Sequence, residues 1–361
     1  MDATAAESIR LLCQSIDSNR GLPRAEVLAA LDLFEHHECW EPFQSLVHQI
    51  LSKGPDLQLL VRWARVQNMF LHDAESAAKT CGRIASDAGI GFNKLKNEIL
   101  PLIIVGQDYP TEALILQNAL PQFSPKKDQV ACLERLCLIY EKKNHNEVLL
   151  DKYYTQLLSL DQGNQKALRY FKMIFTQSQR WQEVIGILQA MIKHAAHPQD
   201  TYRSAQELAA VFMYQLDRPQ DAIAVIEQHC KNSPLDTSLI HYDAYYQMGD
   251  AAGCLRVLRY CLDSLHDERS RGVLLYKIAL LEEKLGDLNS AKKSLAESAK
   301  TSPSFIEPIE NLINIAVFER NWKQLMPLLD ELAQRTDNPE SVERIREASK
   351  RLENGIQNAD A

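Results

Sequence analysis

The spacing of apolar and polar residues predicts helices along almost the whole chain. Apolar residues recur at i, i+3, i+4 and i+7, the period of an amphipathic helix, in many segments. Clear examples are 25–36, 41–53, 220–232 and 289–301. No segment shows a convincing alternation with period two, which is the pattern of a half-buried strand.

The most strand-like segment is the apolar run 99–105. Pro101 interrupts this run and Gly106 ends it. Proline in a strand interior removes a hydrogen bond of the sheet, so the run favours a buried, kinked helix over an isolated strand. We therefore expect an all-α protein.

Short turns divide the helices at regular intervals. Each turn precedes a predicted helix, and the successive helix starts are 33 to 38 residues apart. These starts lie near Trp40, Ala74, Tyr109, Glu147, Trp181, Arg218, Ala251, Leu288 and Trp322. A period of about 35 residues with two helices per period is typical of helical solenoids, whose units bury their apolar faces against their neighbours.

The residues inside the period resemble the tetratricopeptide repeat (TPR) family. The best match is the segment 274–303. It has small residues, Ala279 and Ala291, where the two helices of a unit cross, and Gly286 at the end of the first helix. Pro303 follows the second helix, where it prevents further helical bonding. Other units match more loosely, so a divergent TPR array and another α-hairpin solenoid both remain open.

The resemblance covers 23–336, and it implies a right-handed α-α superhelix of about nine helix pairs. The flanking sequences predict a capping helix within 1–22 and a polar C-terminal capping helix at 337–353. An open solenoid requires such polar ends. We expect residues 354–361 to form a flexible tail.

Composition excludes several classes of protein. The formal net charge of −8 is unfavourable for a surface that neutralises phosphates, so we expect no nucleic acid as the main partner. No apolar stretch approaches the roughly 18 residues of a membrane span, and the N-terminal sequence lacks a signal-peptide pattern. The 8 cysteines are scattered singly, unlike those of a secreted disulfide scaffold. We therefore expect a cytoplasmic protein with no membrane contact.

We find no motif for catalysis or cofactor binding. Phosphate-binding loops, nucleophile elbows and zinc-protease motifs are absent from the sequence. Three groups contain possible metal ligands: His36, His37 and Cys39; His194 and His197; and Cys254, Cys261 and His266. None of these groups has the second close pair that a structural zinc site needs. We expect no catalytic residue, no cofactor, no metal and no enzymatic activity.

The resemblance implies a concave groove, lined by the first helices of successive units, that accepts a peptide or a helix. The residues placed in this groove by the repeat register are Arg169, Arg203, Gln206, Asp243, Tyr246 and Asn314. Tyr246 is the most suggestive of them, because an exposed tyrosine offers a rigid apolar body with a hydroxyl. The family's Lys and Asn clamp for chaperone tails is not present, which argues against chaperone binding.

The sequence therefore predicts an interaction scaffold or adaptor that binds a protein or peptide partner, whose identity stays open, in its concave groove. One alternative is a structural subunit of a multiprotein assembly that packs through its edge or convex surface. Exposed apolar patches near Trp40 or Trp322 would favour this alternative. A less favoured alternative is an RNA-binding α-hairpin array of the pentatricopeptide kind.

Overall fold

The computed structural model describes residues 7, 9–14, 23–87, 89–144, 146–230 and 235–359. These residues form helices and turns, with no strand among them. The chain divides into two compact units, Met1–Tyr170 and Phe171–Ala361. The all-α prediction is confirmed.

The N-terminal unit contains eight numbered helices in its described part. They are α1 (Arg24–His36), α2 (Trp40–Leu51), α3 (Leu57–Met69), α4 (Ala74–Asp87), α5 (92–103), α6 (Tyr109–Ala119), α7 (Lys126–Ile139) and α8 (Glu147–Leu160). The next helix, α9 (Gln165–Gln177), includes residues of both units. In the N-terminal segment, residues 7 and 9–14 are helical, and the rest of the predicted capping helix within 1–22 lies outside the described residues.

The C-terminal unit continues with ten more helices. They are α10 (Trp181–Lys193), α11 (Pro198–Tyr214), α12 (Pro219–His229), α13 (Leu235–Gln247), α14 (Ala251–Ser264), α15 (Glu268–Lys284), α16 (Leu288–Thr301), α17 (Glu307–Phe318), α18 (Trp322–Arg335) and α19 (Pro339–Ala359). Over the described part of the chain, α1 to α18 form nine consecutive helix pairs. Eight of the nine predicted second-helix starts match the structure. The remaining one, the start of α12, lies at Pro219 rather than at Arg218.

The turns inside the pairs share one backbone device. A residue in the left-handed region, with φ between 51° and 84°, stands two positions before the second helix in seven described turns. These residues are Glu38, His72, Gln179, Asp217, Gly249, Gly286 and Arg320. The next residue closes the turn, as where the Asp287 N–H donates to the Glu282 carbonyl at 2.9 Å. Asp287 also caps α16, because its carboxylate accepts the Ser290 N–H at 3.0 Å.

The prediction for 99–105 is correct only in part. The segment α5 contains a π turn at Leu95–Ile99, and its helix ends at Ile103. Pro101 has no N–H to donate to the carbonyl four residues earlier, which is consistent with an irregular helix just before it. Ile104 is extended, with φ of −111° and ψ of 128°, so the run leaves the helix before Gly106. Val105 is exposed rather than buried.

Small residues set the close helix approaches in the C-terminal unit. Ala279 and Ala291 are both buried where α15 packs on α16, as predicted. A Cβ added to Gly253, in the first turn of α14, would lie only 2.3 Å from Cδ1 of Tyr245. Such a distance is far inside a van der Waals contact, so the tyrosine ring packs directly on the glycine backbone.

A buried carboxylate ties three helices together. The side chain of Glu282 in α15 is buried, and it accepts a hydrogen bond from Arg259 in α14 at 2.8 Å. Ser294 in α16 donates to the other oxygen of the same carboxylate at 2.7 Å. Because the carboxylate is charged and withdrawn from water, both partners are needed to stabilise it there.

The last helix packs on the ninth pair. Ile345 and Leu352 of α19 contact the cluster that includes Leu325 and Leu329 of α18. This helix continues to Ala359, six residues beyond the predicted end of the capping helix at 353. The flexible tail at 354–361 stays a prediction, and residues 360–361 lie outside the described residues. The role of α19 as a terminal cap remains a prediction.

Candidate functional site

Four side chains of α11 and α13 form an exposed surface that we call the tyrosine face: Tyr214, Tyr242, Asp243 and Tyr246. The Tyr214 hydroxyl donates to Oδ2 of Asp243 at 2.8 Å. The rings of Tyr242 and Tyr246 stack, with centroids 6.1 Å apart and planes 17° apart. Tyr246 is 68% exposed and Tyr214 is 54% exposed. The face therefore presents aromatic area and a carboxylate to solvent.

The period of α13 explains why these residues share one surface. Tyr242 and Tyr246 are four residues apart, and residues at this spacing lie one turn apart on the same side of a helix. Ala244 and Tyr245 are directed into the core instead, and both are buried. The Tyr245 hydroxyl donates to Glu227 at 2.9 Å, so this tyrosine has a structural role. Packing on the core side holds the exposed side of α13 in place.

Two tyrosines of the face, Tyr214 and Tyr242, have raised pKa values and remain hydrogen-bond donors at neutral pH. Partial burial raises the pKa of Tyr214, and its hydrogen bond to Asp243 raises it further, to about 12. Loss of solvent is also the main reason why the pKa of Tyr242 is raised. Tyr214 and Tyr242 therefore keep their protons well above physiological pH, so the face places neutral hydroxyls beside Asp243.

Polar contacts join the first helices of successive pairs in the C-terminal unit. Nζ of Lys172 in α9 lies 2.6 Å from Oε2 of Glu207 in α11. Further along, the amide of Asn311 in α17 donates to the Tyr276 hydroxyl in α15 at 2.9 Å. Each contact spans 35 residues, which is one period of the repeat. First helices of adjacent pairs therefore lie side by side, as a shared surface requires.

The structure brings two of the six predicted groove residues together. Asp243 and Tyr246 are one turn apart on α13 and belong to the tyrosine face. Arg203 is exposed on α11, but it is 11 residues before Tyr214, about 16 Å along the helix axis. Gln206, on the same helix, is half-buried. These two residues lie on a first helix as predicted but at a distance from the tyrosines.

The other two predicted residues also lie on first helices. Asn314 is exposed on α17, two pairs beyond α13. Arg169 is exposed on the part of α9 that belongs to the N-terminal unit. The groove formed by all six residues remains a prediction.

Sequence reasoning did not identify Tyr214 and Tyr242 as members of the site. The repeat register contains a signal for Tyr214, because it precedes the start of α12 by five residues, just as Tyr246 precedes the start of α14. Tyr242 occupies a position where the repeat usually has a small residue, and its ring is only partly buried. Comparison of equivalent positions between pairs would have found both.

The N-terminal unit has a different, charge-paired surface on its first helices. Arg62 in α3 bonds Glu35 in α1 at 2.8 Å and lies 2.8 Å from a carboxylate oxygen of Asp32. These side chains, with Arg65 and Leu102, line an open depression of about 510 Å³. Leu102 is 56% exposed, so an apolar side chain lies beside the ion pairs. The sequence analysis did not single out this surface.

The three cysteines among the candidate metal ligands have packing or local contacts in the structure. Cys254 and Cys261 belong to a hydrophobic cluster with Val257. Cys39 donates weakly to the carbonyl of His37 at 3.5 Å. Among the described residues, no group of three or more His, Cys, Asp or Glu side chains is placed to hold a metal ion. No described helix is both long and apolar enough to cross a bilayer.

No protein-family model and no curated protein sequence matches the chain. Several solved structures of TPR-repeat proteins are similar in fold. A tetratricopeptide repeat protein from Parabacteroides merdae shares 13% identity at a TM-score of 0.31, over 77% of this chain and 99% of the other. Yeast Tom70 shares 12% identity at a TM-score of 0.30, over 88% of this chain and 61% of Tom70. A chain of the APC/C hetero-tetramer Cut9–Hcn1 shares 11% identity at a TM-score of 0.28, over 90% of this chain and 73% of the other.

Proposed function

We propose that the protein is a non-catalytic interaction module whose tyrosine face binds a peptide segment or helix of another protein. The exposed aromatic area of this face carries the proposal. Tyrosine is enriched among the residues that dominate binding energy at protein interfaces, because its large ring is rigid and its hydroxyl makes a directed bond. The proposed role requires no cofactor and no catalytic group.

The contacts within the face support binding to a preformed surface. Tyr214 is held by its bond to Asp243, and Tyr242 and Tyr246 are held by their mutual stacking. Side chains that are already ordered lose less conformational entropy when a partner binds. Asp243 adds a negative charge beside the aromatic rings, so we expect the preferred segment to combine an apolar or aromatic side chain with Lys or Arg.

The proposal is tested by selecting peptides from a displayed random library on the full chain and measuring their affinities by titration. The double variant Tyr214→Ala and Tyr246→Ala removes the two most exposed rings and leaves the buried Tyr245 in place. We expect it to weaken the selected peptides by at least about tenfold with little change in melting temperature, since interface anchors often contribute more than 1.4 kcal/mol.

Two control variants define the site. Val148→Ala removes an exposed apolar side chain from the N-terminal unit and should leave peptide affinity unchanged. Arg203→Glu tests the larger predicted groove, because Arg203 lies about 16 Å from Tyr214 along α11. Equal binding of the selected peptides to the wild type and to the double tyrosine variant would refute the proposed site.

A second candidate function is a structural subunit that packs through the ninth helix pair. Phe318 is 82% exposed at the end of α17, and Trp322 is 38% exposed at the start of α18. Trp40 differs, since its ring packs on Phe70 with centroids 4.9 Å apart. Exposed apolar groups this close together in sequence are typical of contact surfaces. If this function holds, Phe318→Asp should abolish copurification of a partner subunit that the double tyrosine variant retains.

A further inference from the structure

A cavity of about 410 Å³ lies between α2, α3 and α4 of the N-terminal unit. Each of the three segments contributes side chains four residues apart, which lie one turn apart on the same side of a helix. These are His48 and Ser52 at the end of α2, Trp63 and Gln67 in α3, and Lys79 and Arg83 in α4. The cavity shares no helix with the tyrosine face and is a separate feature.

The formal charges that line the cavity are positive. Among the described residues, none that lines it is acidic, although the whole chain has 48 Asp and Glu residues. Lys79 and Arg83 supply two positive charges. The open depression beside Arg62 differs, because Asp32 and Glu35 pair with its cation. The cavity therefore attracts an anion, whereas the charges of the depression offset each other.

The two cations of the cavity are accessible to a ligand. Lys79 is exposed and makes no ion pair with a described residue. The side chain of Arg83 is 55% exposed, and its Nε atom lies 3.7 Å from a carboxylate oxygen of Asp87. This distance is longer than the roughly 2.7–2.9 Å of a charge-assisted hydrogen bond. Exposed ion pairs contribute little to stability, so Arg83 can bond a ligand at small cost.

The neighbouring polar groups are engaged in local contacts. Asp73 is close enough to Lys79 to interact with it electrostatically, but its carboxylate accepts the Ser76 N–H at 2.9 Å and stabilises the first turn of α4. The Ser52 hydroxyl donates to the Gln49 carbonyl at 2.8 Å. Binding of an anion therefore depends on the cations rather than on these hydroxyls.

An imidazole lies beside the cations, above a floor of packed side chains. His48 is exposed, and its ring meets the Trp63 ring edge-on, with centroids 6.3 Å apart and planes 84° apart. Trp63 is buried and stacks on Phe43, with centroids 5.8 Å apart. The side-chain amide of Gln67 lies 2.7 Å from Oγ1 of Thr80. These contacts fix the floor before a ligand binds, which lowers the entropy cost of binding.

We propose that this cavity binds a phosphate monoester. Such a group carries a charge of about −1.5 to −2 near neutral pH, which matches Lys79 and Arg83 better than the single charge of a carboxylate. Its three terminal oxygens can accept bonds from the ammonium group, the guanidinium fork and the N–H of the His48 imidazole. The volume lies within the roughly 300 to 1,000 Å³ of ligand pockets, so the organic group that bears the phosphate also has room.

The experiment titrates the full chain with three anions that share a phenyl ring and follows the indole N–H resonance of Trp63 by NMR. Phenyl phosphate carries nearly two charges, benzenesulfonate has a similar tetrahedral head with one charge, and benzoate has a planar head with one charge. We expect phenyl phosphate to bind at least about tenfold more tightly than the other two, because its second charge lies beside two cations.

Charge-removing variants test the role of the two cations. The double variant Lys79→Gln and Arg83→Gln should weaken phenyl phosphate by at least about tenfold and abolish its preference over benzenesulfonate. Lys79→Gln alone should weaken it by a smaller factor, and this variant keeps the test valid if the double variant fails to fold. The control Lys126→Gln and Lys127→Gln removes the same charge from exposed positions outside the lining and should leave binding unchanged.

The source of the phosphate is resolved by a further probe, N-acetyl-phosphotyrosinamide, which presents phenyl phosphate on a peptide backbone. Binding of this probe at least as tight as that of phenyl phosphate would identify a phosphorylated protein side chain as the ligand. Binding of phenyl phosphate alone would identify a small molecule. Absence of phenyl phosphate binding, equal affinity for the three anions, or equal binding to the wild type and the double variant of Lys79 and Arg83 would overturn the proposal.

Discussion

Removing glycine from one turn and introducing glycine at an equivalent turn should change stability in opposite directions. Gly286 and Arg320 both stand two residues before a second helix, with φ of 84° and 56°. A residue with a Cβ in the left-handed region costs about 1–2 kcal/mol relative to the right-handed helix. Glycine avoids this cost but loses about 0.5–1 kcal/mol more backbone entropy on folding.

The conformational cost of the Cβ minus the entropy cost of glycine gives the expected change in the free energy of unfolding. Gly286→Ala should lower the free energy of unfolding by about 0.5–1 kcal/mol, and Arg320→Gly should raise it by a similar amount. No atom lies within 4 Å of a Cβ added at Gly286, so a steric clash does not contribute there. The two variants therefore isolate the backbone conformation.

Amide hydrogen exchange on the full chain measures the effect locally, which suits an array whose pairs need not unfold together. The informative amides are those of Asp287 and Asn321, which close the two turns by bonding the carbonyls of Glu282 and Ala316. The protection of the Asp287 amide should fall in Gly286→Ala. The protection of the Asn321 amide should rise in Arg320→Gly. A change of the same sign in both variants would refute the assignment of these turns as left-handed.

Three further predictions concern packing and charge. Gly253→Ala should destabilise the fold by about 1–3 kcal/mol, because the added Cβ clashes with Tyr245. The control Gly186→Ala lies in open space on α10 and should stabilise the fold by about 0.5–1 kcal/mol. Thermal melting of the two variants compares these effects. Glu282→Ala should cost about 1–3 kcal/mol in urea denaturation, because it leaves the Ser294 hydroxyl without its partner, whereas Arg259 is 57% exposed and can be solvated. Burial raises the pKa of Cys132 from 9.0 to about 12, so the folded chain holds a proton that the unfolded chain releases above pH 9. Cys132 alone should therefore lower stability above pH 9 by up to about 1.4 kcal/mol per pH unit, and Cys81 and Cys137 should add similar terms. Cys132→Ala should reduce the total slope by up to the contribution of one thiol.

The helix pairs were predictable because their boundaries are local properties of the sequence. Caps such as Asp287 and helix breakers such as Gly286 act within a few residues, and the repeat presents the same boundary nine times. The left-handed conformation of Glu38, Gln179 and Arg320 was not predictable in this way, since none of these residue types signals a positive φ. There the tertiary packing of the pair imposes a conformation that the local sequence does not favour.

The candidate site was predictable only in part because the first helices differ in length. The helix α11 has 17 residues and α13 has 13, so counting by the average period identifies the helix of a residue but not its distance from residues on other helices. This difference separates Arg203 from Asp243 and Tyr246. The cavity between α2, α3 and α4 requires side chains from three helices, and no single amphipathic pattern contains that information.

The order of helix contacts in the C-terminal unit also bears on its mechanical behaviour. From α10 to α18, each helix packs on the helix that follows it in the chain. Bonds between pairs are similarly short in range, such as that from Arg335 to the Ala299 carbonyl in the preceding pair. A pulling force applied to the ends of such an array acts on one interface after another, because the extensive contacts among its described helices join neighbouring helices and adjacent pairs. The unit should therefore extend in steps of one helix pair and refold in the same steps when the force is released.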